Sequence, residues 1–302
     1  MLRSEKTKAR LFITYLKDKV ELFLYVKPRN TVGAQYVYRR SPGDAALRLR
    51  FAAMLENARV LPSEMEIWVL LYPPEIRTST FYASSERTNS DIRELIQERL
   101  IVNLPYFMNY DLDRVAFRRY RNGDGKDMVT VTLLGKSILY RIKDLLYKDF
   151  TKVTFIGDGL QFLALDYNSK PYLRGKTYEC ILPYDETCYK AIFRAGIHFE
   201  SIAHPKLSTV VGGPTCFKPE QVYLKLNYLE TSLDLPLIQP LISQQEWQRA
   251  NLTAAAFPLW YIASQTMEFD KPVNFADSLQ SSQDVKEGLF SSWHPGQYQH
   301  PN

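Results

Sequence analysis

The chain has 302 residues, of which 45% are hydrophobic and 24% are charged, and its formal net charge is +5. This length and balance are typical of one large globular domain or two ordinary ones, with only weak attraction to acidic surfaces. No run of about eighteen apolar residues is present, and charge interrupts the apolar residues of the first 26, so we expect neither a membrane span nor a signal peptide. The 3 cysteines lack metal-ligand spacing and indicate reduced thiols, so no metal is expected.

The first seventy residues predict four strands and a helix. Apolar runs at 11–16, 20–26 and 34–39 indicate three strands. Asp44 is a suitable N-cap for the helix, which has an apolar stripe at helical spacing: Leu47, Phe51, Met54 and Leu55. The run MEIWVLL at 65–71 predicts the fourth strand, which is buried.

Residues 64–155 are predicted to form one compact α+β unit. A helix follows the strand at 65–71, and Asp91 and Glu94 have the spacing of a capping box at its start. Its apolar face comprises Ile92, Leu95, Ile96 and Leu100. The unit continues with strands at 114–120 and 128–134, a helix at 136–147 and a strand at 152–156.

The strand at 114–120 belongs to a basic cluster. Arg114, Arg118, Arg119 and Arg121 alternate with Phe117 and Tyr120, which indicates a strand with one solvated basic face. Arginines between aromatic residues suit stacking on single-stranded nucleic acid, whereas a solvated edge strand needs arginines too. We expect no specific nucleic-acid binding.

The last third begins with a hairpin and ends in a polar tail. Apolar residues flank Ala195-Gly196 within 180–202 and predict two strands joined by a turn. Strands at 222–226 and 235–238 and helices at 228–233 and 251–265 follow. The tail has too few apolar residues to fold alone.

The order of these elements resembles the actin-like family that includes the type IV pilus protein PilM and the cytoplasmic domain of the type II secretion protein GspL, with FtsA more distant. Four segments carry the likeness: the unit at 64–155, LLGKSILYRIKDLLYKDFTKVTFIGDG, CILPYDETCYKAIFRAGIHFES, and QVYLKLNYLETSLDLPLIQPL with NLTAAAFPLWYIASQ. The resemblance implies an α/β fold of actin-like (ribonuclease-H-like) subdomains with an inserted α+β subdomain. It divides the chain into a first actin-like part, the inserted subdomain, a second actin-like part with a closing helix, and an extended tail: 1–63, 64–155, 156–267 and 268–302.

Nucleotide-binding members of that family carry Asp-x-Gly turns in two phosphate hairpins, and this chain lacks both. The first hairpin has Lys17 and Asp18 in a charged turn without glycine. In the second, Pro183 removes a donor, and Asp185 and Glu186, ahead of Thr187, repel phosphate. The adenosine-contacting glycine pair is replaced by Leu226-Asn227-Tyr228. The resemblance therefore implies a degenerate cleft at Lys17, Asp18, Asp185, Glu186 and Thr187, with no cofactor and no catalysis.

Three further patterns do not by themselves identify a catalytic, metal or nucleotide site. Asp185 and Glu186 are a candidate carboxylate pair, but adjacent strand residues point to opposite faces and a solvated turn is the simpler interpretation. The 4 histidines show no metalloprotease or triad order, and His198 is expected to be either packed or half exposed within a strand. The two glycines around Asp158 favour a tight turn over a nucleotide fingerprint.

By resemblance, the function expected is that of a non-catalytic scaffold, cytoplasmic and peripheral at the bacterial inner membrane, in a type II secretion or type IV pilus machine. Its implied partners are inner-membrane assembly proteins, the motor ATPase and a second copy in a homodimer. A working actin-like ATPase or kinase, and a nucleic-acid-binding protein, are the alternatives left open.

Three aromatic residues of the tail are candidate partner-binding anchors: Phe275, Phe290 and Trp293. Val273-Asn274-Phe275 is similar to the short Asn-containing segment that pilus relatives capture from a partner. Phe290 and Trp293 are expected to pack on a folded surface of this chain or of a partner, and the alternative is a solvated tether.

Overall fold

Thirteen strands and three α-helices are present in the part of the chain that the structure describes. The computed structural model describes residues 9–17, 19–26, 31–39, 45–103, 107–121, 124–146, 153–161, 177–184, 187–194, 197–204, 220–224, 237–238 and 273–276. The strands are β1 (Ala9–Tyr15), β2 (Lys19–Val26), β3 (Thr31–Arg39), β4 (Met65–Leu71), β5 (Ile76–Ser84), β6 (Tyr110–Tyr120), β7 (Lys126–Gly135), β8 (Val153–Asp158), β9 (Thr177–Tyr184), β10 (Thr187–Arg194), β11 (Ile197–His204), β12 (Glu220–Leu224) and β13 (Leu237–Ile238). The helices are α1 (Ala45–Ala58), α2 (Asn89–Val102) and α3 (Ile138–Leu146).

The first sheet has the strand order β3-β2-β1-β4-β8. Strands β1, β2 and β3 form an antiparallel meander, whereas β4 pairs parallel to β1 and β8 pairs parallel to β4. The parallel strands are mostly buried, as expected where both faces of a sheet are covered. Their carboxyl ends meet at one edge of the sheet, where the candidate site lies.

A row of aromatic side chains fixes the register of four strands in this sheet. Phe12 lies opposite Phe23 and beside Trp68, and Trp68 lies beside Phe155. Neighbouring ring centroids in the row are separated by 6.1, 6.1 and 5.5 Å. A slip of one residue would send these rings to the opposite face, so the row specifies the pairing strongly.

The second sheet repeats the order of the first. Its order is β11-β10-β9-β12-β13, in which β9, β10 and β11 form an antiparallel meander and β12 and β13 are parallel additions on the side of β9. Two sheets with this shared order, each a meander extended by parallel strands, are the duplicated ribonuclease-H-like unit of actin-like proteins. The actin-like α/β fold expected from the sequence is confirmed.

A third sheet, β5-β7-β6, is antiparallel and carries α2 on one face. We refer to β5, α2, β6 and β7 as the inserted sheet unit. It is narrower than the expected range of 64–155, because β4 and β8 pair in the first sheet and the buried face of α3 packs in the same hydrophobic cluster as α1. The strands at both ends of that range consist largely of apolar residues, a composition that suits the first sheet as well as the inserted one. Only the observed pairing assigns them to the first sheet.

Helix α2 begins one turn earlier than the sequence spacing indicated. The N-cap is Thr88, whose side chain accepts from the backbone N–H of Asp91 over 3.2 Å. The carboxylate of Asp91 accepts in turn from the backbone N–H of Thr88 over 2.7 Å. The capping box is therefore Thr88 with Asp91, and the expected pair of Asp91 with Glu94 is wrong. Both pairs have the required spacing, which sequence alone could not resolve.

The two strands expected on either side of Ala195-Gly196 are confirmed as β10 and β11, which pair antiparallel, and a third strand, β9, precedes them. Pro183 lies inside β9 and pairs with Cys188, so the expected upstream break is the short connection to β10. The expected strand at 222–226 is observed at Glu220–Leu224. The expected helices at 228–233 and 251–265 lie outside the described residues.

Candidate functional site

The β1–β2 turn and strand β10 are brought together at the carboxyl edge of the first sheet. Lys17 is exposed in that turn, and its backbone N–H donates to the hydroxyl of Tyr189 over 3.1 Å. Thr187 begins β10 two residues before Tyr189 and is buried. Of the predicted cleft positions, Lys17 is thus bonded to β10, and Thr187 is the first residue of that strand. The others, Asp18, Asp185 and Glu186, and the tail residues Phe290 and Trp293, lie outside the described residues.

Three tyrosines occupy this edge. Tyr15 ends β1, Tyr72 follows β4 directly, and Tyr189 enters from β10; all three are almost fully buried. The N–H of Tyr72 donates to the Tyr15 carbonyl over 3.0 Å, and the rings of Tyr72 and Tyr189 meet edge to face with centroids 5.1 Å apart. Ligands of open α/β sheets bind at such an edge. Here the chain's own aromatic side chains occupy it.

The two glycines around Asp158 are explained by packing. A Cβ on Gly159 would lie 2.5 Å from Cε2 of Tyr72, so only glycine lets that ring approach. A Cβ on Gly157 would lie 2.6 Å from the carbonyl oxygen of Val273. The turn expected at this place is confirmed at Gly159 and Leu160.

Asp158 is the centre of a buried polar cluster that the sequence did not indicate. It ends β8 and is fully buried. Its Oδ2 accepts from the hydroxyls of Thr78 over 2.7 Å and of Ser201 over 3.1 Å, and its Oδ1 accepts from the N–H of Leu160 over 2.9 Å. A carboxylate removed from water requires such donors. Asp158 therefore joins the first sheet to β5 and to β11.

His198 completes this cluster from β11. Its Nε2 lies 2.6 Å from Ser201 Oγ, and its Nδ1 lies 3.9 Å from Asp158 Oδ2. The Ser201 hydroxyl donates to Asp158, so Ser201 Oγ is left to accept from His198 Nε2–H, which assigns the neutral tautomer from the network. Burial lowers the pKa of His198, against the opposing effects of the Asp158 charge and of the hydrogen bond with the Glu200 backbone.

A register shift in the pairing of β10 with β11 brings His198 and Ser201 into contact. The pairing of β10 with β11 shifts by one residue between Ile192 and Phe193, so Ala191 lies opposite Ser201 while Phe193 lies opposite His198. Without the shift, residues 198 and 201 would point to opposite faces of the strand. Of the two placements expected for His198, the one packed within a strand is confirmed.

The inserted sheet unit contacts β11 through threonines. The hydroxyl of Thr80 donates to the Phe199 carbonyl over 2.7 Å, and that of Thr130 lies 3.5 Å from the His198 carbonyl. Arg194 stacks over the Phe199 ring at 3.7 Å and donates to the Tyr82 hydroxyl over 3.3 Å. These contacts satisfy backbone groups of β11, which is the edge strand of its sheet.

Arginines of β6 form ion pairs and hydrogen bonds within the inserted sheet unit. Arg119 pairs with the buried Asp127 and also donates to the carbonyls of Ser85 and Arg87. Arg114 pairs with Asp111 over 2.9 Å. Arg118 lies opposite Thr130 and Arg119 opposite Val129, so neighbouring arginines leave the strand on opposite faces. The expectation of one solvated basic face is therefore wrong.

The tail segment 273–276 is fixed to the outer edge of β8. The N–H of Phe275 donates to the Ile156 carbonyl over 2.8 Å. Asn274 Oδ1 accepts from the N–H of Ile156 over 3.0 Å, and Asn274 Nδ2 donates to the Thr154 carbonyl over 3.0 Å. Phe275 is buried in the first sheet's core cluster. This candidate partner-binding residue contacts its own chain.

Among the described residues, no cluster of three or more His, Cys, Asp and Glu side chains is placed to hold a metal ion. Within the same residues, no helix has the length and hydropathy needed to cross a bilayer.

No protein-family model matches the chain, and no curated protein matches it. Solved structures with a similar fold include the PilM–PilN type IV pilus biogenesis complex, at 12% identity over 65% of this chain and with a TM-score of 0.49; the chain spans 61% of that chain's length. They include the cytoplasmic domain of EpsL, an inner membrane component of the type II secretion system of Vibrio cholerae, at 14% identity over 93% of this chain and 99% of that chain, with a TM-score of 0.49. A Bacteroides thetaiotaomicron protein with an actin-like ATPase fold and unknown function has 9% identity over 86% of this chain and 91% of that chain, with a TM-score of 0.40.

The actin-like class itself rests on the strand order of this chain's own two sheets.

Proposed function

We propose that this chain is a non-catalytic cytoplasmic scaffold of a bacterial type II secretion or type IV pilus machine, peripheral to the inner membrane. Its partners would be inner-membrane assembly proteins and the motor ATPase. The assignment to such a machine comes from the order and residues of the four resembling segments, and the absence of catalysis comes from the candidate site.

The observation that carries the non-catalytic part is the occupied edge of the first sheet. A phosphate cradle needs free backbone N–H groups and small side chains. In the β1–β2 turn the Lys17 N–H bonds to Tyr189 over 3.1 Å and the Leu16 N–H bonds to the Lys19 carbonyl over 2.9 Å. The rings of Tyr72 and Tyr189 pack against each other at the same edge, and we propose that they take the place of a nucleotide there. These groups stabilise the junction between the sheets and leave a nucleotide few donors there.

The docked segment 273–276 supports the scaffold role. It ties the chain to β8 through Asn274 and Phe275 shortly before the polar residues 277–302. A segment that is fixed to the folded part of the chain can transmit a displacement or a force from that part to a bound partner. We propose that Phe290 and Trp293 dock on a folded surface beyond that point.

Hydrogen exchange tests the tail directly. Amides 286–295 should be protected either in the isolated chain or after addition of the membrane partners. Random-coil exchange rates under both conditions would show that the tail does not dock and is only a tether.

Crosslinking in native membranes tests the proposed partners. The chain, tagged at its genomic locus, should be crosslinked to inner-membrane assembly proteins of a pilus or secretion system and to its motor ATPase. The untagged strain controls for non-specific recovery. Recovery of neither kind of protein, together with magnesium-dependent ATP hydrolysis by the purified chain, would favour a working ATPase or kinase instead.

A further inference from the structure

We propose that Asp158, Ser201 and His198 form a proton-sensitive latch, which holds β11 against β8 and the inserted sheet unit while His198 is neutral and releases β11 when His198 takes up a proton. The latch joins three parts of the chain that are far apart in sequence. Asp158 ends β8, Thr78 lies in β5, and His198 and Ser201 lie in β11.

The Nε2–H of His198 is already used within the cluster, so a second proton on the imidazole has to bind at Nδ1. His198 Nε2–H donates to Ser201, and Ser201 donates to Asp158, over 2.6 and 3.1 Å. An additional proton would sit on Nδ1, which lies 3.9 Å from Asp158 Oδ2, beyond hydrogen-bond distance. Thr78, Ser201 and Leu160 already donate to the Asp158 carboxylate. A protonated ring would therefore be a cation removed from water, and Asp158 and the Glu200 backbone offset only part of the cost of its burial.

The charges around the cluster relieve only part of the cost of burying a protonated His198. Asp158 of β8 is the charged group that contacts His198, and the Phe193 ring of β10 packs on the imidazole with centroids 5.3 Å apart. The charged groups next to Glu200 of β11 are Arg77 of β5, Lys190 and Arg194 of β10, and Glu179 of β9. Lys190 itself pairs with Glu179 over 2.9 Å. Burial lowers the pKa of His198 in spite of Asp158.

The sign of the effect follows from linkage. A histidine whose pKa is lowered in the closed form binds a proton more readily when β11 is open, so acidification below the ordinary value favours opening. Glu200 acts in the opposite direction, because burial raises its pKa and its protonated form favours the closed state. Acid-induced opening of β11 is therefore attributable to His198 and not to Glu200.

Hydrogen exchange on the full chain, corrected for intrinsic rates, measures the opening. Between about pH 7.5 and about pH 5.5, an open-state histidine of ordinary pKa increases the opening equilibrium of β11 by up to about tenfold if the closed latch stays unprotonated. The exchange of the Thr80 amide of β5 should increase by the same factor, because the Thr80 hydroxyl is bonded to the Phe199 carbonyl of β11. His198→Gln, whose amide keeps the donor to Ser201 without titrating, should abolish the increase of the opening equilibrium on acidification. His204→Gln, at the end of the same strand, is the matched control and should behave as the parent chain.

The proposal is contradicted if acidification does not increase the opening equilibrium of the parent chain, if His198→Gln retains that increase, or if His204→Gln loses it. If His198→Gln does not fold, two other measurements decide. Ser201→Ala should raise the opening equilibrium at both pH values, and the imidazole signal of His198 in the parent chain should titrate below its ordinary range. Titration at or above that range contradicts the proposal.

Discussion

The backbone N–H of Lys17 donates to the hydroxyl of Tyr189 over 3.1 Å and thereby joins the β1–β2 turn of the first sheet to strand β10 of the second. The same tyrosine packs edge to face on Tyr72. In a nucleotide-binding actin-like protein this turn would face phosphate. In this chain it is bonded to a side chain of the opposite sheet.

Removing that hydroxyl should weaken the junction modestly. Tyr189→Phe keeps the ring contact with Tyr72 but takes the acceptor from Lys17, which should cost about 1 kcal/mol of the free energy of unfolding. Tyr140→Phe is the matched control, because Tyr140 is 73% exposed and its change should stay within about 0.5 kcal/mol. Urea unfolding monitored by tyrosine fluorescence measures both. Equal effects of the two variants would show that the Lys17 bond contributes nothing.

The docked tail segment should depend on one side chain. Asn274→Ala removes the acceptor for the Ile156 N–H and the donor to the Thr154 carbonyl. At about 1 kcal/mol for each bond, the exchange rate of the Phe275 amide should rise by roughly tenfold or more. Asn274→Asp keeps the acceptor and loses the donor, so its effect should be intermediate. Unchanged protection in Asn274→Ala would mean that Phe275 burial alone holds the segment.

Arg119 of β6 and Arg121, which directly follows that strand, should differ in what they contribute to stability. Arg119→Ala leaves the buried Asp127 carboxylate without its ion pair and should destabilise the chain by on the order of 3 kcal/mol. Arg121 is exposed, so Arg121→Ala should change the free energy of unfolding by less than about 0.5 kcal/mol. Thermal unfolding compares the two variants. A small effect of Arg119→Ala would indicate that its role is not structural.

The same strand gives a prediction about nucleic acid. Because Arg119 is bonded within the inserted sheet unit and neighbouring arginines leave the strand on opposite faces, no oligonucleotide should be retained at physiological salt. Fluorescence anisotropy with single-stranded DNA and RNA is the measurement. A sub-micromolar complex that Arg118→Ala and Arg121→Ala abolish would establish the nucleic-acid alternative.

The capping box should be visible in a titration. Hydrogen bonds from the Thr88 backbone and side chain lower the pKa of Asp91. A carboxyl group with a lowered pKa stabilises the fold above its ordinary pKa, and this contribution is lost as the pH falls through the lowered value. Thr88→Ala removes the side-chain bond, so the pKa of Asp91 should move back toward its ordinary value in an NMR titration. Glu94→Gln should leave the Asp91 titration unchanged, since Glu94 takes no part in the box.

The sequence was informative wherever one element carried its own pattern. The strand MEIWVLL and the helix containing Leu47, Phe51 and Met54 were predicted from periodicity, because each buries one face regardless of its neighbours. The capping box was misplaced because two pairs of polar residues share one spacing. The limits of the inserted sheet unit were missed because buried strands look alike before they are paired.

The polar cluster was not predictable from local pattern. Asp158 and Ser201 are 43 positions apart, and His198 reaches the same face as Ser201 only through the register shift in β11. A regular strand would have separated them. Three tyrosines lie in the crevice, by which we mean the carboxyl edge of the first sheet where it meets β10. They were missed for a related reason, since Tyr15 ends β1, Tyr72 follows β4 and Tyr189 lies in β10, so they meet only after both sheets form.

Calorimetric titration of ATP with magnesium into the purified chain tests the central claim, that the crevice is closed by the chain's own residues and holds no nucleotide. Tyr189→Ala, which removes the ring and the hydroxyl together, serves as the comparison with an opened crevice. At millimolar ATP we expect no saturable heat from the parent chain. Saturable binding at micromolar ATP, competed by ADP, would contradict the claim and identify the chain as a nucleotide-binding member of the actin-like fold.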